Sequence, residues 1–227
     1  MNALMIHGAG GGAWEWAIWK NVFDAHGAAA RAIDLHPGDQ GLATTALNDY
    51  QRQVEEALSM LPGPRVAIGA SLGGLLAAAC GERADALVLV NPLPPAPWAH
   101  SLAPGDGPDV EPWGAQARFD GTRRALADAD AATRLFAHRR WRDESGRVLR
   151  EAHAGIEVPE PTCPVLFVVS EVDDDVPPAL NRAWAAAWQA DVITAATPTH
   201  VGPLLGHCAA RVAQDVVGWL QVRLSPR

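Results

Sequence analysis

The sequence is poor in features that would commit it to several common roles. It holds only three cysteines, Cys80, Cys163 and Cys208, an odd number without the close spacing of a zinc or redox motif. Neither a disulfide framework nor a cysteine metal cage fits, and the thiols are expected to be reduced, as in a cytoplasmic protein. Positive charge is also scarce: 18 Lys and Arg stand against 26 Asp and Glu, for a formal charge of -8, and the acidic residues are dispersed. Binding nucleic acid requires a basic face to neutralise phosphates, so no nucleic-acid partner is expected. Long apolar runs are missing. None approaches the roughly 18 residues of a membrane span, and residues 1–6 pass directly into His7-Gly8 without the charged start and cleavage site of a secretory leader. The expectations are no membrane insertion and a cytoplasmic location. No internal repeat interrupts the chain, and its abundant alanine forms no low-complexity tract.

What is present suits an enzyme core. The 227 residues are 48% hydrophobic and 19% charged, enough apolar material for a sizeable core in one domain over 1–227. Short apolar runs alternate with longer segments that suit helices, the pattern of βα units around a parallel sheet. Strands are predicted at 3–6, 30–34, 65–68, 86–90, 165–169 and 191–195, and helices at 14–26, 44–60, 72–81, 178–190 and 204–222. The spacing predicts an α/β fold: a doubly wound, mostly parallel six-stranded sheet with helices on both faces. Between Asn91 and Pro164 the alternation breaks. Pro92, Pro94, Pro95, Pro97, Pro104, Pro108 and Pro112 open that stretch, and a helical segment follows over 121–141. A long insertion in a regular α/β chain is more often functional than idle, so 92–163 reads as a partly helical lid.

The strongest local signal is Gly69-Ala70-Ser71-Leu72-Gly73-Gly74, between the apolar run 65–68 and the helix from Leu72. A strand that turns directly into a helix holds the serine in a strained bend with its hydroxyl above the sheet. Gly69 and Gly73 let the flanking backbones close up. The helix N-terminus beneath it favours developing negative charge. A serine that only caps the helix would show the same five residues, and the correct strand and helix around them favour a nucleophile.

With these neighbours the chain resembles the α/β-hydrolase family, in which a serine, an acid and a histidine follow one another along the chain. The resemblance runs from His7 to the final helix, with the insertion least matched. Family members usually carry two further strands before the His-Gly loop, so six strands, all parallel, are implied here. The run 165–169 leads into Ser170-Glu171-Val172-Asp173-Asp174-Asp175. It is similar to the family's acid turn, with Ser170 in place of the usual glycine, and the match implies Asp173 as the carboxylate that orients the base. Asp174 and Asp175 stay open as alternatives, as do a solvated loop and a weak cation site. For the base, His200 in Thr197-Pro198-Thr199-His200 is favoured over His207 because its distance from the acid is closer to the family's spacing. His7-Gly8-Ala9-Gly10-Gly11-Gly12 is similar to the family's oxyanion loop, so the N-H groups of Ala9 and Leu72 are the implied oxyanion donors and His7 is expected to orient the loop. A phosphate loop is the rival reading, but neither a G-x-G-x-x-G with its ribose-binding acid nor a Gly-Lys-Ser/Thr is present.

A serine at position 71 disfavours the family's dehalogenases and epoxide hydrolases, which use a carboxylate there. What remains is acyl transfer to water, with no metal or organic cofactor implied. The expected activity is hydrolysis of a carboxylic ester of a small or medium acyl substrate. An acyl-thioesterase is the alternative, and a non-catalytic ligand-binding protein on the same scaffold is the alternative from another class. Trp98, Trp113, Phe119, Leu126, Leu135, Phe136 and Trp141 either line an acyl pocket or anchor the lid, and a homodimer through exposed lid aromatics stays open. Arg139, Arg140 and Arg142 either recognise a carboxylate or phosphate or form a solvated helix face.

Overall fold

Residues 1–103 and 105–225 are described by a computed structural model of the chain. Pro104, one of the prolines that open the insertion, lies outside the described residues. The main sheet has six strands, β1 (Asn2–Ile6), β2 (Ala29–Ile33), β3 (Arg65–Ala70), β4 (Ala86–Val90), β7 (Val165–Ser170) and β8 (Asp191–Ala195). Their order is β2-β1-β3-β4-β7-β8, and every pair is parallel. Two short strands within the insertion, β5 (Val110–Glu111) and β6 (Glu144–Ser145), pair antiparallel as a separate ribbon.

The period-2 alternation of each central strand divides its side chains between two cores. Leu4, Ile6, Ala67, Leu87, Leu89, Phe167 and Val169 face one. Ala3, Met5, Val66, Ile68, Val88, Val90, Leu166 and Val168 face the other. Both faces are covered by helices, which is why these strands read as unbroken apolar runs. The first face carries α2 (Leu47–Ser59), α3 (Leu72–Ala79), α6 (Gly146–Ala154) and α7 (Pro178–Ala187), and the second carries α1 (Ala17–Ala25), α8 (Gly202–Leu205) and α9 (Ala209–Arg223). In α9 the buried residues Ala209, Val212, Ala213, Val216, Val217 and Leu220 recur at the spacing of a single helical stripe.

The helices depart from expectation where local capping or distant bonds intervene. The segment expected as one helix over 121–141 is two, α4 (Phe119–Ala125) and α5 (Ala131–His138). Asp130 restarts the second by accepting the Thr133 N-H at 2.7 Å, satisfying a donor the new helix would otherwise leave open. The closing helix expected over 204–222 is broken into α8 and α9 at Gly206-His207-Cys208, where the His207 N-H turns aside to the Asp128 carbonyl at 3.2 Å. The helix expected at 14–26 begins as a 3-10 turn, Ala13–Trp16, whereas Leu42–Thr44 is a separate 3-10 turn parted by extended Thr45 and Ala46 from α2, so the helix expected from 44 starts only at Leu47. Helix α6 was not predicted. Ser145 caps it by accepting the Val148 N-H at 3.2 Å while donating to the Thr45 carbonyl at 2.7 Å.

Candidate active site

The chain leaves β1 toward β2 on one side and returns to place β3 on the other, so the winding reverses between β1 and β3. In open α/β sheets such a reversal parts the loops at the carboxyl ends of the two strands and opens a crevice. The loop after β1 holds His7 to Gly12, and the turn after β3 holds Ser71. Ser71 has φ 53° and ψ -120°, a strained conformation for a residue with a side chain. The surroundings over-determine it. Its N-H donates to the Val90 carbonyl at 3.0 Å, and its own carbonyl accepts from Gly74, Leu75 and Leu93. A Cβ at Gly69 would strike the Gly73 carbonyl, and one at Gly73 would strike those of Ile6 and His7, so strand, helix and β1 meet only because both positions lack side chains.

Asp173 and His200 are brought together. His200 Nδ1 donates to Asp173 Oδ2 at 2.7 Å, and Asp173 Oδ1 accepts the N-H groups of Asp175 and Val176, each at 2.9 Å. The Asp173 side chain is 1% exposed, whereas Asp174 and Asp175 are exposed residues. Burial pulls the His200 imidazole pKa down, but the Asp173 hydrogen bond and charge, helped by Asp175 and Glu15, outweigh it and hold the pKa above the ordinary 6.5. His207 is exposed between α8 and α9. Among the described residues Ser71 Oγ makes no hydrogen bond, whereas His200 and Asp173 are bonded to each other.

The loop after β1 lies against the serine: a Cβ on Gly8 would stand 3.1 Å from Ser71 Cβ and 3.8 Å from Oγ. Among the described residues neither the Ala9 nor the Leu72 N-H donates a hydrogen bond, which leaves both for a ligand oxygen. His7 is fixed as a neutral ring. Its Nδ1-H donates to the Gly8 carbonyl at 2.7 Å, so Nε2 can only accept, and it receives the Leu35 N-H and an Arg142 N-H, both at 2.9 Å. Burial first, and the Arg142 charge with it, push the His7 pKa down to about 4 despite the Gly8 bond. The Arg142 guanidinium is therefore engaged by this loop, although its side chain keeps 38% exposure. Its N-H groups also reach the carbonyls of Gly10 at 2.8 Å and Gly11 at 2.6 Å, while the Glu144 carboxylate accepts the Gly10 N-H at 3.0 Å and the Tyr50 hydroxyl at 2.8 Å.

The sequence reading missed several of these side chains. Asn91, a buried polar residue at the end of an apolar strand, has φ 40° and bonds across to β7 and the histidine loop. Its Nδ2 donates to Ser170 Oγ at 2.8 Å and to the His200 carbonyl at 2.7 Å, and its Oδ1 accepts the Ser170 N-H at 2.9 Å. Ser170 Oγ in turn donates to the Thr199 carbonyl at 3.0 Å. The departure from glycine at position 170 was thus a readable signal. Glu15 was also missed: it is 3% exposed beneath the loop and accepts the Gly8 N-H at 3.4 Å. Burial drives its pKa up to about 8, against the opposing backbone bonds from Gly8 and Gly12 and the charges of His200 and Arg142.

The insertion's aromatics divide between roles. Leu126 is fully buried in one core and Trp98 stacks on Trp184 in the other, so both act as anchors. Trp141 and Phe136 close edge-on around Trp14 at 5.2 and 5.8 Å, and half-exposed Trp113 lies over Gly10. Phe119 and Leu135 are exposed. Asp173, Asp175 and His200 offer ligand-type atoms within 4.8 Å of one another, but a cation there would have to displace the proton His200 donates to Asp173. A surface depression of about 730 Å³ lined in part by Asp39, Asp49, Arg52 and Arg147 includes neither Ser71 nor His200, and it offers charged walls without a nucleophile. No helix among the described residues is long and apolar enough to cross a membrane.

Residues 3–217 match the profile of the family described as "Alpha/beta hydrolase family". Among curated proteins no relative matches. Solved structures are similar over nearly the whole chain. A methylesterase from Arabidopsis has 15% identity and a TM-score of 0.72, covering 96% of this chain and 99% of its own. A pyrethroid hydrolase from Sphingobium faniae JZ-2 has 19% identity and a TM-score of 0.72, covering 96% of both chains. Tomato methylketone synthase I, in complex with 2-tridecanone, has 14% identity and a TM-score of 0.77, covering 98% of both.

Proposed function

The chain belongs to the α/β-hydrolase family, and from that premise we propose that it is a serine hydrolase cleaving a carboxylic ester of a small or medium acyl substrate. The observation that carries this reading is the bond between buried Asp173 and His200 beside the strained Ser71 turn. As Ser71 Oγ attacks the acyl carbon, His200 takes the hydroxyl proton and Asp173 stabilises the resulting imidazolium. The Ala9 and Leu72 N-H groups receive the oxyanion, each such donor contributing about 3 kcal/mol. His200 then protonates the departing alcohol, and water deprotonated by His200 releases the acid and restores Ser71. Two of the similar structures are named as a methylesterase and a pyrethroid hydrolase, which supports ester bonds as the class.

The test is turnover of p-nitrophenyl esters of increasing acyl length, with matched thioesters in parallel to separate the two substrate classes. Ser71→Ala and His200→Ala are expected to lose about a million-fold in turnover, while His207→Ala stays active. A Ser71→Ala variant that keeps its rate overturns the reading, and an inert wild type that binds acyl compounds tightly points to a binding protein instead. Because the base must be neutral and its pKa is raised, kcat/KM should climb with pH through a midpoint above 6.5.

A further inference from the structure

The loop that carries His200 is held from two sides, and only one of them is the sheet. The strand ends fix its carbonyls, through Asn91 Nδ2 to His200 O and Ser170 Oγ to Thr199 O. The threonine hydroxyls on the same loop are held by the turn between α4 and α5 of the insertion. Thr197 Oγ1 donates to Asp128 Oδ2 at 2.6 Å and Thr199 Oγ1 donates to Asp128 Oδ1 at 3.1 Å. The Asp128 carbonyl also accepts the His207 N-H at 3.2 Å, so a single residue binds the chain on both sides of His200. The fit is close: a Cβ at Gly206 would strike the Asp128 carboxylate. Arg134 steadies the turn by donating to the carbonyls of Leu126 at 2.9 Å and Ala127 at 2.7 Å.

From this geometry we infer that Asp128 is a positioning residue for the base, through which the insertion sets where the His200 imidazole stands. The inference rests on the hydrolase reading of Ser71 and His200. Thr197 and Thr199 are buried, with exposures of 1% and 7%, and beyond Asp128 their hydroxyls can donate only to each other, at 3.4 Å, so losing the carboxylate leaves one of them without an acceptor away from water and the loop must shift to satisfy it. Only the position of the ring changes, because Asp128 touches neither Asp173 nor Ser71. A base displaced by about an ångström lowers turnover about 100-fold, with substrate binding little altered.

Three variants test the role, assayed well below their melting temperatures: Asp128→Ala, Asp128→Asn and Thr199→Val. Asparagine presents an acceptor and a donor to the two hydroxyls in nearly the same shape, so it should rescue. The expected result is a kcat about 100-fold lower in Asp128→Ala with KM within twofold, an intermediate loss in Thr199→Val, and near wild-type turnover in Asp128→Asn. A second readout does not depend on turnover: the downfield proton resonance of the His200 Nδ1-H bonded to Asp173 should broaden or move in Asp128→Ala and persist in Asp128→Asn. Thr199→Val supplies both readouts should Asp128→Ala fail to fold. An unchanged kcat and an unmoved resonance in Asp128→Ala, or in Thr199→Val in its place, overturn the inference. An inert wild type whose resonance responds to Asp128 overturns the hydrolase reading and leaves the positioning role standing.

Discussion

Glu15 carries a carboxyl group to a place where ionisation is unfavourable. Its neighbours are the N-H groups of Gly8 and Gly12 and the side chains of His200 and Arg142, and none of them offsets the loss of water. With a folded pKa near 8 against an ordinary 4.5, the native state keeps a proton that the unfolded chain gives up between those values. Stability from this group is fully present below pH 4.5 and is lost as pH rises through 8, a penalty on the order of 3 kcal/mol by pH 7. Glu15→Gln keeps the shape and removes the titration. Its melting temperature should therefore exceed that of the wild type by more at pH 8.5 than at pH 5, and a difference that stays constant with pH rejects the assignment. His7 acts in the opposite direction. Its folded pKa near 4 lies below the ordinary 6.5, so its neutral ring costs stability as pH falls through that window. In the Gln variant, acid should destabilise more visibly than in the wild type, where the two groups oppose each other.

At the scale of elements, α9 shows what local physics alone decides. Gly218 sits on the exposed side of that helix, and a Cβ there would meet nothing within 4 Å. Gly218→Ala should stabilise the protein by about 0.5–1 kcal/mol through reduced backbone freedom, read as a raised denaturation midpoint with unchanged ester turnover. The strands were legible for a related reason. β4, Ala86–Val90, is apolar at every position because both faces of the sheet are covered, so its bounds could be read from residue type alone. The Ser71 turn was legible because its glycines, strand and helix are contiguous. The insertion was not. Helix α6 and the β5-β6 ribbon depend on partners far along the chain, such as Ser145 with Thr45 and Glu144 with Tyr50. Arg142 looked like one more arginine of a helix face because the carbonyl it binds belongs to Gly11, 131 residues earlier. The pairing of Asp173 with His200 follows the order and spacing that the family resemblance implies, whereas Asp128 and Asn91 reach the histidine loop through contacts that no short window contains.

Across the whole molecule, the insertion is more than a cover laid on the sheet. Val148 and Ala152 of α6 are buried in the core beneath α2 and α7, while Leu126, Ala129 and Ala137 are buried in the core on the opposite face. The same segment binds the glycine loop after β1 through Arg142 and Glu144 and the histidine loop through Asp128. A segment that shares both cores and holds both loops is expected to unfold with the sheet, because separating it would expose apolar surface on two faces and release a set of buried hydrogen bonds at once. Hydrogen exchange followed by mass spectrometry over a denaturant series checks this. Amides of α6 should open with the same free energy and the same denaturant dependence as those of β3 and β4, with earlier exchange confined to the exposed face of α5. If 119–154 instead exchanges as a unit well before the strands, the insertion moves independently of the sheet. Asp128 could then hold His200 only in a closed state, and turnover should fall as denaturant opens the segment, before any strand amide is lost.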